Sequence, residues 1–329
     1  MTEVLYLSSG DVSGIAEPAA FVETVRDAYR QRGEGAPAEP RTVLKREDPA
    51  GMLTAYAASL PETGAMGGYM YSAGFGAGDA WFVTPLFDAD SGQLLAVLDG
   101  ASMNPFKTGA AGAVGVDALA RDDASVLAVI GSGTQARGQL RATATVRDLD
   151  EVRVFSPTPE NREAFAEEMA AELDLRVDPV RSAETAIEGA DIVITATNAG
   201  EPVFDGSLLE PGTHVTAMGQ YDPDRFELDP TTIERAVYVP DLTARLTQDA
   251  GAYMNAVETG AIDADHVHAE LGDVVAGRAP GRTDPDQITV FDSGGTGIET
   301  VAVGYLLYER AQEADLGTTI EFSPASEAF

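Results

Sequence analysis

The sequence predicts an α/β protein in which a doubly wound parallel-sheet domain is inserted in an α+β domain. Extended runs separated by turn residues fill residues 41–98, which is typical of an antiparallel sheet. From residue 126 onward, short apolar runs alternate with helical patterns, as in a parallel sheet covered by helices. No low-complexity linker separates the parts, so the last segment is expected to return to the first domain. We expect one domain of residues 1–118 plus 304–329 and a second of residues 119–303.

The first domain begins with an apolar strand at residues 4–7 and a helix over residues 18–32. A loop rich in glycine and proline follows, at residues 33–40. Five extended runs predict the strands of the antiparallel sheet, at residues 41–45, 52–58, 68–72, 81–87 and 94–98. A run of small residues at 105–119 then predicts a closely packed helix.

The second domain begins with an apolar, β-branched run at residues 126–130, which predicts a buried parallel strand. A strand at 152–155 precedes a helix over 160–173. Further short apolar runs predict strands at residues 192–195, 214–218, 237–239 and 288–291. A last helix at about 297–312 and an extended tail at 318–322 end the chain.

Composition excludes several classes of protein. The chain of 329 residues holds no apolar run of about 18 residues, so we expect no membrane span. No cysteine occurs, which excludes disulfides, thiolate metal sites and cysteine nucleophiles. The first residues do not resemble a signal peptide, so we expect a cytoplasmic protein.

The charge balance is strongly acidic, with 54 acidic against 21 basic residues and a net charge of −33. Such a surface repels phosphate backbones, which excludes nucleic-acid binding. Only Lys45 and Lys107 are lysines, and the acidic residues are spread along the chain. We interpret this pattern as adaptation to molar salt, where exposed carboxylates are screened over about 3 Å. The alternative is an acidic protein of an ordinary cell.

A glycine-rich turn follows the strand at 126–130, in the order Gly131-Ser132-Gly133-Thr134-Gln135-Ala136. Glycines at this place allow a tight turn and a close approach of the backbone to a pyrophosphate. The helix that follows offers free N–H groups to the anion, and Ala136 allows helix and strand to pack closely. The pattern therefore predicts a Rossmann-type dinucleotide domain, with a plain structural turn as the alternative.

The end of the second strand bears on which dinucleotide is bound. NAD-binding proteins usually carry a carboxylate about 20 residues after the glycines, for the ribose hydroxyls. Here Ser156 and Thr158 follow the strand and Arg162 comes soon after. These side chains suit a 2′-phosphate, so NADP(H) is favoured, with NAD(H) as the alternative cofactor. The same residues also suit a helix N-cap.

Several phrases together resemble the ornithine cyclodeaminase/mu-crystallin family. They are residues 106–111, 131–137, 190–197, 211–219, 227–229 and 288–294. The resemblance implies a homodimer formed through the N-terminal sheets, with the active site between the two domains. It also implies hydride exchange between a nicotinamide and the α-carbon of a small imino or amino acid.

The resemblance assigns roles to individual residues. Arg41 and Lys107 lie where the family binds the substrate carboxylate, although the family usually has arginine at the second place. Tyr69 replaces a family lysine, and Tyr221, followed by Asp222, replaces a family aspartate. We therefore take Lys107, Tyr69 and Asp222 as candidate catalytic residues and Arg41, Lys107 and Tyr221 as substrate-binding residues. Exposure of Arg41, a structural ion pair of Lys107 and core packing of Tyr69 are the alternatives.

The resemblance extends the dinucleotide site to the ends of further strands. The residues expected to bind the cofactor are Gly131, Ser132, Gly133, Thr134, Gln135, Ala136, Ser156, Thr158, Arg162, Thr197, Met218, Gly219, Ser293 and Gly294. No metal site is expected, because His214, His266 and His268 lack a set of further ligands at suitable spacing.

These observations predict an NAD(P)H-dependent oxidoreductase that reduces an imine, or a 2-oxo acid plus an amine, to an amino acid, or catalyses the reverse. The missing lysine and aspartate speak against ornithine cyclisation, which needs a base and a fixed second amine. A cyclodeaminase-like ammonia lyase that recycles its cofactor stays as one alternative. A non-catalytic, NADP-dependent binding protein for small molecules is the other.

Overall fold

The computed structural model of the chain describes residues 2–76 and 79–327. It divides into two compact units. Unit 1 comprises the described residues of Met1–Lys107 and Thr296–Phe329, and unit 2 is Thr108–Gly295. Unit 2 is thus inserted in unit 1 along the chain. The chain passes from one unit to the other between Lys107 and Thr108 and between Gly295 and Thr296. The boundaries predicted from the sequence were 118/119 and 303/304.

Unit 1 contains a sheet of seven strands. They are β1 (Thr2–Leu7), β2 (Thr42–Glu47), β3 (Ala50–Leu60), β4 (Ala65–Gly74), β5 (Asp79–Asp88), β6 (Leu94–Asp99) and β14 (Thr318–Phe322). Strands β2 to β6 pair antiparallel in chain order, as the turn-separated runs predict. Strand β1 lies parallel to β6 and antiparallel to β14, so the tail completes the edge of this sheet.

The helices of unit 1 are α1 (Ser9–Val12), α2 (Pro18–Gly33), the first residues of α3 (Asn104–Leu119) and α10 (Gly297–Glu313). Helix α10 packs on β3, β4 and α2, and it covers one face of the sheet. In β3 the alternate residues Thr54, Tyr56, Ala58 and Leu60 are buried, which marks the covered face. The opposite face carries exposed apolar side chains, namely Leu44, Leu53, Met70, Trp81 and Val83.

Unit 2 contains a sheet of seven parallel strands. They are β7 (Val126–Ile130), β8 (Glu151–Phe155), β9 (Val177–Pro179), β10 (Ile192–Thr195), β11 (His214–Ala217), β12 (Ala236–Pro240) and β13 (Ile288–Asp292). Their order across the sheet is β12-β13-β11-β10-β7-β8-β9. The order reverses direction at β7, with β8 on one side and β10 on the other. This is the doubly wound arrangement, which binds ligands at the carboxyl ends of its strands.

Helices cover both faces of this sheet. They are the rest of α3 with α4 (Thr134–Thr143), α5 (Pro159–Leu173), α6 (Ala183–Ile187), α7 (Pro230–Arg235), α8 (Gly251–Glu258) and α9 (Leu271–Val275). Ala128 and Ile130 of β7 belong to one buried apolar cluster, and Leu127 and Val129 to another. Because successive residues of a strand point to opposite faces, an uninterrupted apolar run such as β7 fits a sheet buried on both sides.

The α/β fold class and the Rossmann-type domain predicted from the sequence are confirmed. The short strand β9 and the helices α6 to α9 were not predicted, because they are too brief to show a periodic pattern. Within the described parts of the chain, no helix has the length and apolar character needed to cross a membrane.

Candidate active site

The glycine turn after β7 has the geometry of a dinucleotide-binding loop. Gly131 has φ +119°, and a Cβ there would lie 2.4 Å from the carbonyl oxygen of Ala196, so both conformation and space require glycine. Gly133 is the N-cap of α4, and a Cβ on it would meet no described atom within 4 Å. Ala136 is fully buried where helix and strand meet. The first N–H groups of α4 therefore border open space at the end of β7.

Side chains fix the shape of this loop. The Arg137 guanidinium donates to the carbonyl of Ser132, and Thr108 Oγ1 donates to Gln135. The Gly131 N–H donates to the Phe155 carbonyl at 2.8 Å, which ties the turn to the end of β8. A pyrophosphate fits this cradle, because the open glycine and the helix N-terminus supply space and donors together.

The carboxyl ends of strands β10 and β11 are both hydrogen-bonded to one buried carboxylate, that of Glu227. Its oxygens accept hydrogen bonds from Thr197 N at 2.7 Å, Gly219 N at 2.8 Å and Thr195 Oγ1 at 3.0 Å. Burial raises the pKa of Glu227, against the opposing effect of these hydrogen bonds. A Cβ on Gly219 would lie 2.4 Å from Glu227 Oε2, so a larger residue there would displace this carboxylate. Glu227 thus positions the segments that contain the predicted residues Thr197, Met218 and Gly219.

The loop after β13 is held in the same way by Asp241, which follows β12. Asp241 Oδ2 accepts hydrogen bonds from Ser293 Oγ at 2.8 Å, Gly294 N at 2.9 Å and Gly295 N at 3.2 Å. Asp241 itself is fully buried. The predicted cofactor residues Ser293 and Gly294 therefore lie in a loop fixed by a carboxylate beneath it.

Arg245 lies among three buried carboxylates next to this loop. It lies 2.8 Å from Asp249, 3.1 Å from Asp292 and 3.6 Å from Asp241, and all four side chains are buried. Burial lowers the pKa of Arg245, but the three carboxylates outweigh it and hold that pKa well above the ordinary value. A Cβ on Gly294 would lie 2.6 Å from Arg245 Nη2, so the guanidinium excludes any side chain there.

The end of β8 presents the predicted 2′-phosphate residues. Ser156 is buried, and Thr158 is an exposed residue at the N-cap of α5. Arg162 Nη1 donates to the Ser156 carbonyl at 2.9 Å, which places its guanidinium at the strand end. Among the described residues, the Thr158 side chain makes no capping hydrogen bond. Thr158 therefore occupies the N-cap position of α5, but within the described chain its side chain does not form the hydrogen bond that usually caps a helix.

The predicted substrate residues of unit 1 surround a cluster of tyrosines on the covered face of its sheet. Tyr56 of β3 pairs directly with Tyr69 of β4, and their ring centroids are 5.6 Å apart. Tyr69 also contacts Tyr71, at 5.8 Å, and stacks on Phe82, at 5.2 Å. Antiparallel pairing explains this arrangement, because opposite residues on neighbouring strands point to the same face.

Lys107 is buried against this cluster and is 1 % exposed. Its Nζ lies 3.4 Å from the Tyr56 hydroxyl, 3.4 Å from Glu299 Oε1 and 5.0 Å from the centroid of the Tyr69 ring. Glu299 accepts hydrogen bonds from Thr296 N and Thr296 Oγ1, each at 2.5 Å, in the capping box that starts α10. A lysine buried to this degree requires a charged partner, and Glu299 is one.

Arg41 approaches the same tyrosines from just before β2. It is 7 % exposed, so it is not the solvent-exposed strand arginine of the alternative interpretation. Its Nη1 donates to the Tyr71 hydroxyl at 3.3 Å, and its guanidinium lies 5.4 Å from the centroid of the Tyr56 ring. The structure thus brings Arg41, Lys107 and Tyr69 together in unit 1, as neighbours of Tyr56.

The remaining predicted side chains have other surroundings. The Tyr69 hydroxyl donates to the Gly100 carbonyl at 3.0 Å. Tyr221 is exposed and Asp222 is half-buried, in a turn of unit 2 where Asp222 Oδ1 accepts from Asp224 N at 3.0 Å. Asp222 and Tyr221 therefore belong to a different unit from the tyrosine cluster.

The histidines make structural hydrogen bonds. His214 is fully buried, and its ring nitrogens lie 2.9 Å from the hydroxyls of Thr289 and Thr216. Burial lowers the pKa of His214 to about 3, so it is neutral in the fold. His266 and His268 hydrogen-bond to backbone carbonyls.

Five residues that shape these sites were not predicted as site residues. They are Tyr56, Glu227, Asp241, Arg245 and Glu299. Glu227 was found only as part of a family phrase, because Asp222, Asp224 and Asp229 flank it and nothing else in the sequence sets it apart. Tyr56, Asp241 and Glu299 contact residues far along the chain, which no local spacing indicates. Arg245 lies four positions from both Asp241 and Asp249, a local spacing that could have indicated it.

The sequence model of the ornithine cyclodeaminase/mu-crystallin family matches residues 4–315. The chain belongs to this family. The match includes both the glycine turn after β7 and the tyrosine cluster, and the resemblance carried by the sequence phrases is thereby confirmed.

Individual proteins that are similar in sequence or structure include reductases and a dehydrogenase. A Delta(1)-pyrroline-2-carboxylate reductase of Bacillus cereus is 36 % identical over 242 residues, which is 73 % of this chain and 74 % of that protein. The structure of Thermococcus litoralis Delta(1)-pyrroline-2-carboxylate reductase in complex with NADH and L-proline has TM-score 0.91 and 33 % identity, covering 96 % of this chain and 100 % of that one. An archaeal alanine dehydrogenase dimer with bound NAD has TM-score 0.91 and 30 % identity, covering 98 % and 100 %.

Proposed function

We propose that this member of the family is an NAD(P)H-dependent oxidoreductase that reduces a small imino acid to an amino acid, or catalyses the reverse. The observation that carries the proposal is the pair of buried cations, Arg41 and Lys107, set among tyrosines in unit 1. Unit 2 has a loop that fits a dinucleotide. The similar proteins named above are reductases of a cyclic imino acid and an alanine dehydrogenase, which supports this class of reaction.

In this function the chain's own residues bind and orient the substrate. Arg41 presents a planar guanidinium, which suits two-point recognition of a carboxylate. Lys107 adds a second positive charge near the same tyrosines, although Glu299 already neutralises part of it. A bound nicotinamide supplies the hydride. The substrate nitrogen then needs a proton, for which Tyr69 and Asp222 are the donors predicted from the sequence.

For the cofactor, we propose a preference for NADP(H) over NAD(H). Support comes from Ser156, Thr158 and Arg162 at the end of β8, where the guanidinium is hydrogen-bonded to the strand end. Replacement Arg162→Ala should raise the KM for NADPH at least tenfold and leave the KM for NADH within twofold. An equal effect on both cofactors would contradict the preference.

We also propose that the chain forms a homodimer through the open face of the unit 1 sheet. Leu44, Met70 and Trp81 are exposed there, on a chain whose surface is otherwise strongly acidic. The same face contains an apolar groove of about 810 Å³. The alanine dehydrogenase of similar structure is a dimer. A contiguous exposed apolar patch of this kind usually marks an interface.

The net charge of −33 supports a further proposal, that the protein requires high salt for stability. Screening of exposed carboxylates removes their mutual repulsion as the ionic strength rises. Full stability in dilute buffer would contradict this proposal. A cytoplasmic location stays a prediction.

The test of the proposed function is an assay in molar KCl that follows oxidation of NADPH and NADH. Cyclic imino acids are offered first, then 2-oxo acids mixed with ammonia or methylamine. Oxidation proportional to amino acid formed is the expected result. With ornithine as substrate, ammonia release with no net change in cofactor would indicate the lyase. NADPH binding without turnover of any substrate would indicate a binding protein.

A further inference from the structure

Two buried cations lie close to the Tyr56 side chain, one at its hydroxyl and one near its ring. Lys107 Nζ is 3.4 Å from this oxygen and 5.7 Å from the centroid of the ring, so the ammonium lies beyond the hydroxyl end of the side chain. The Arg41 guanidinium lies 5.4 Å from the same centroid. Both charges stabilise the negative charge that develops on a tyrosine oxygen as its proton leaves.

Lys107 also contacts the carboxylate of Glu299. Lys107 therefore lies between two groups, the Tyr56 hydroxyl and the Glu299 carboxylate. Glu299 Oε1 is 3.4 Å from Lys107 Nζ, on a fully buried side chain held by its hydrogen bonds to Thr296. A neighbouring carboxylate favours the charged form of a lysine. Lys107 is thereby kept as an ammonium that donates toward the Tyr56 oxygen. Because that oxygen accepts from Lys107, the O–H bond of Tyr56 points away from the ammonium.

The other two tyrosine hydroxyls of the cluster have different hydrogen-bond partners. Tyr69, the donor predicted from the sequence, gives its hydrogen bond to the Gly100 carbonyl. The Tyr71 hydroxyl accepts from Arg41 at 3.3 Å. The Tyr56 hydroxyl lies 3.4 Å from the Lys107 ammonium.

We propose that Tyr56 is the general acid of the reduction and that Lys107 restores its proton. This inference rests on the proposed function. The imine carbon accepts the hydride, and the electron pair of the C=N π bond passes to nitrogen, which takes the hydroxyl proton of Tyr56. The phenolate then takes a proton from Lys107, and solvent returns one proton to the lysine. The sum is imine plus NAD(P)H plus one proton giving amine plus NAD(P)⁺.

Tyr56→Phe tests this assignment in the complete protein at molar KCl, with saturating NADPH and a cyclic imino acid that the wild type reduces. We expect kcat to fall at least 100-fold, the usual contribution of a positioned general acid. The dissociation constant of the product amino acid, measured by calorimetry, should stay within twofold. The solvent deuterium isotope effect on kcat should change, which loss of packing alone would not cause.

Tyr29→Phe is the matched control, because Tyr29 is a fully buried tyrosine of unit 1 outside the cluster. It should keep the wild-type kcat. A Tyr56→Phe variant that binds product normally and keeps kcat within threefold of wild type would overturn the inference and leave the proposed function intact. A 100-fold loss in Tyr69→Phe alone would assign the proton to Tyr69 instead. A wild type that reduces no imine would overturn the proposed function, and this inference with it.

Discussion

Removing the charge of Glu299 should destabilise the fold by about 3 kcal/mol. Glu299 and Lys107 are 0 % and 1 % exposed, with 3.4 Å between Oε1 and Nζ. At that distance and an effective dielectric constant of about 20, their attraction is worth about 5 kcal/mol. Deleting one partner of a buried pair costs about 3–5 kcal/mol, because the other charge stays buried without compensation. Glu299→Gln lies at the lower end, since glutamine keeps the acceptor for Thr296 N.

The assay is guanidinium denaturation in buffers of constant, high ionic strength, followed by circular dichroism, with the free energy of unfolding taken from the midpoint and slope. Glu313→Gln is the matched control, because Glu313 pairs with Arg310 on the exposed surface of the same helix. It should change stability by less than about 0.5 kcal/mol. A double variant, Lys107→Met with Glu299→Gln, should recover part of the loss, because it removes both buried charges.

A loss of less than 1 kcal/mol in Glu299→Gln would refute this reasoning. It would mean that the Lys107 ammonium does not depend on Glu299, and the proton route from Lys107 to Tyr56 would lose its support. A double variant less stable than Glu299→Gln would contradict the reasoning as well, since the loss would then come from packing rather than charge.

Three further predictions follow from other contacts. Gly131→Ala should weaken NADPH binding at least tenfold, measured by cofactor fluorescence, because its Cβ would lie 2.4 Å from the Ala196 carbonyl at φ +119°; unchanged affinity would show that the turn does not bind the cofactor. His214 has a pKa of about 3 in the fold and about 6.5 when unfolded, so stability is lost as the pH falls below 6.5. The free energy of unfolding of the wild type should fall by about 1.6 kcal/mol more than that of His214→Gln between pH 6.5 and pH 5, and parallel curves would contradict this. Trp81→Asp, at a side chain 73 % exposed on the open sheet face, should convert a dimer to a monomer in light scattering, and a dimer that persists would place the interface elsewhere.

Signals that are local in the chain predicted their structures correctly. The apolar run before Gly131 and the small residue at Ala136 lie within one stretch of eleven residues, so the strand, the turn and the start of the helix are recognisable locally, although Phe155 also holds the turn. The rarity of lysine drew attention to Lys107, which is indeed buried next to a charged partner. Strand β7 was predicted from an uninterrupted apolar run, and the antiparallel sheet of unit 1 from extended runs separated by turn residues, which are local signals as well.

Local sequence patterns did not predict which residues these side chains contact. Lys107 and Glu299 are 192 positions apart, and Glu227 contacts Thr197 from 30 positions away. Such contacts depend on which strands are neighbours, and a single sequence does not encode that order in any local pattern. Tyr69 illustrates the limit: it was singled out because it replaces a family lysine, whereas neither its place among Tyr56 and Tyr71 nor the direction of its hydroxyl toward Gly100 was predicted.

The distribution of charge leads to a last prediction, about salt. Three basic residues, Arg41, Lys107 and Arg245, are buried in a chain with only 21 lysines and arginines. The charges of Lys107 and Arg245 are compensated by buried carboxylates, which ions in solution do not reach. Most of the 54 acidic residues, in contrast, face solvent, and their charges are screened as the salt concentration rises. Salt should therefore act on folding and not on the chemistry. From 1 M to 3 M KCl, the free energy of unfolding should rise while kcat at saturating substrates stays within twofold. A tenfold change in kcat, in protein shown by circular dichroism to be fully folded at both salt concentrations, would mean that the reacting groups themselves are exposed to ions.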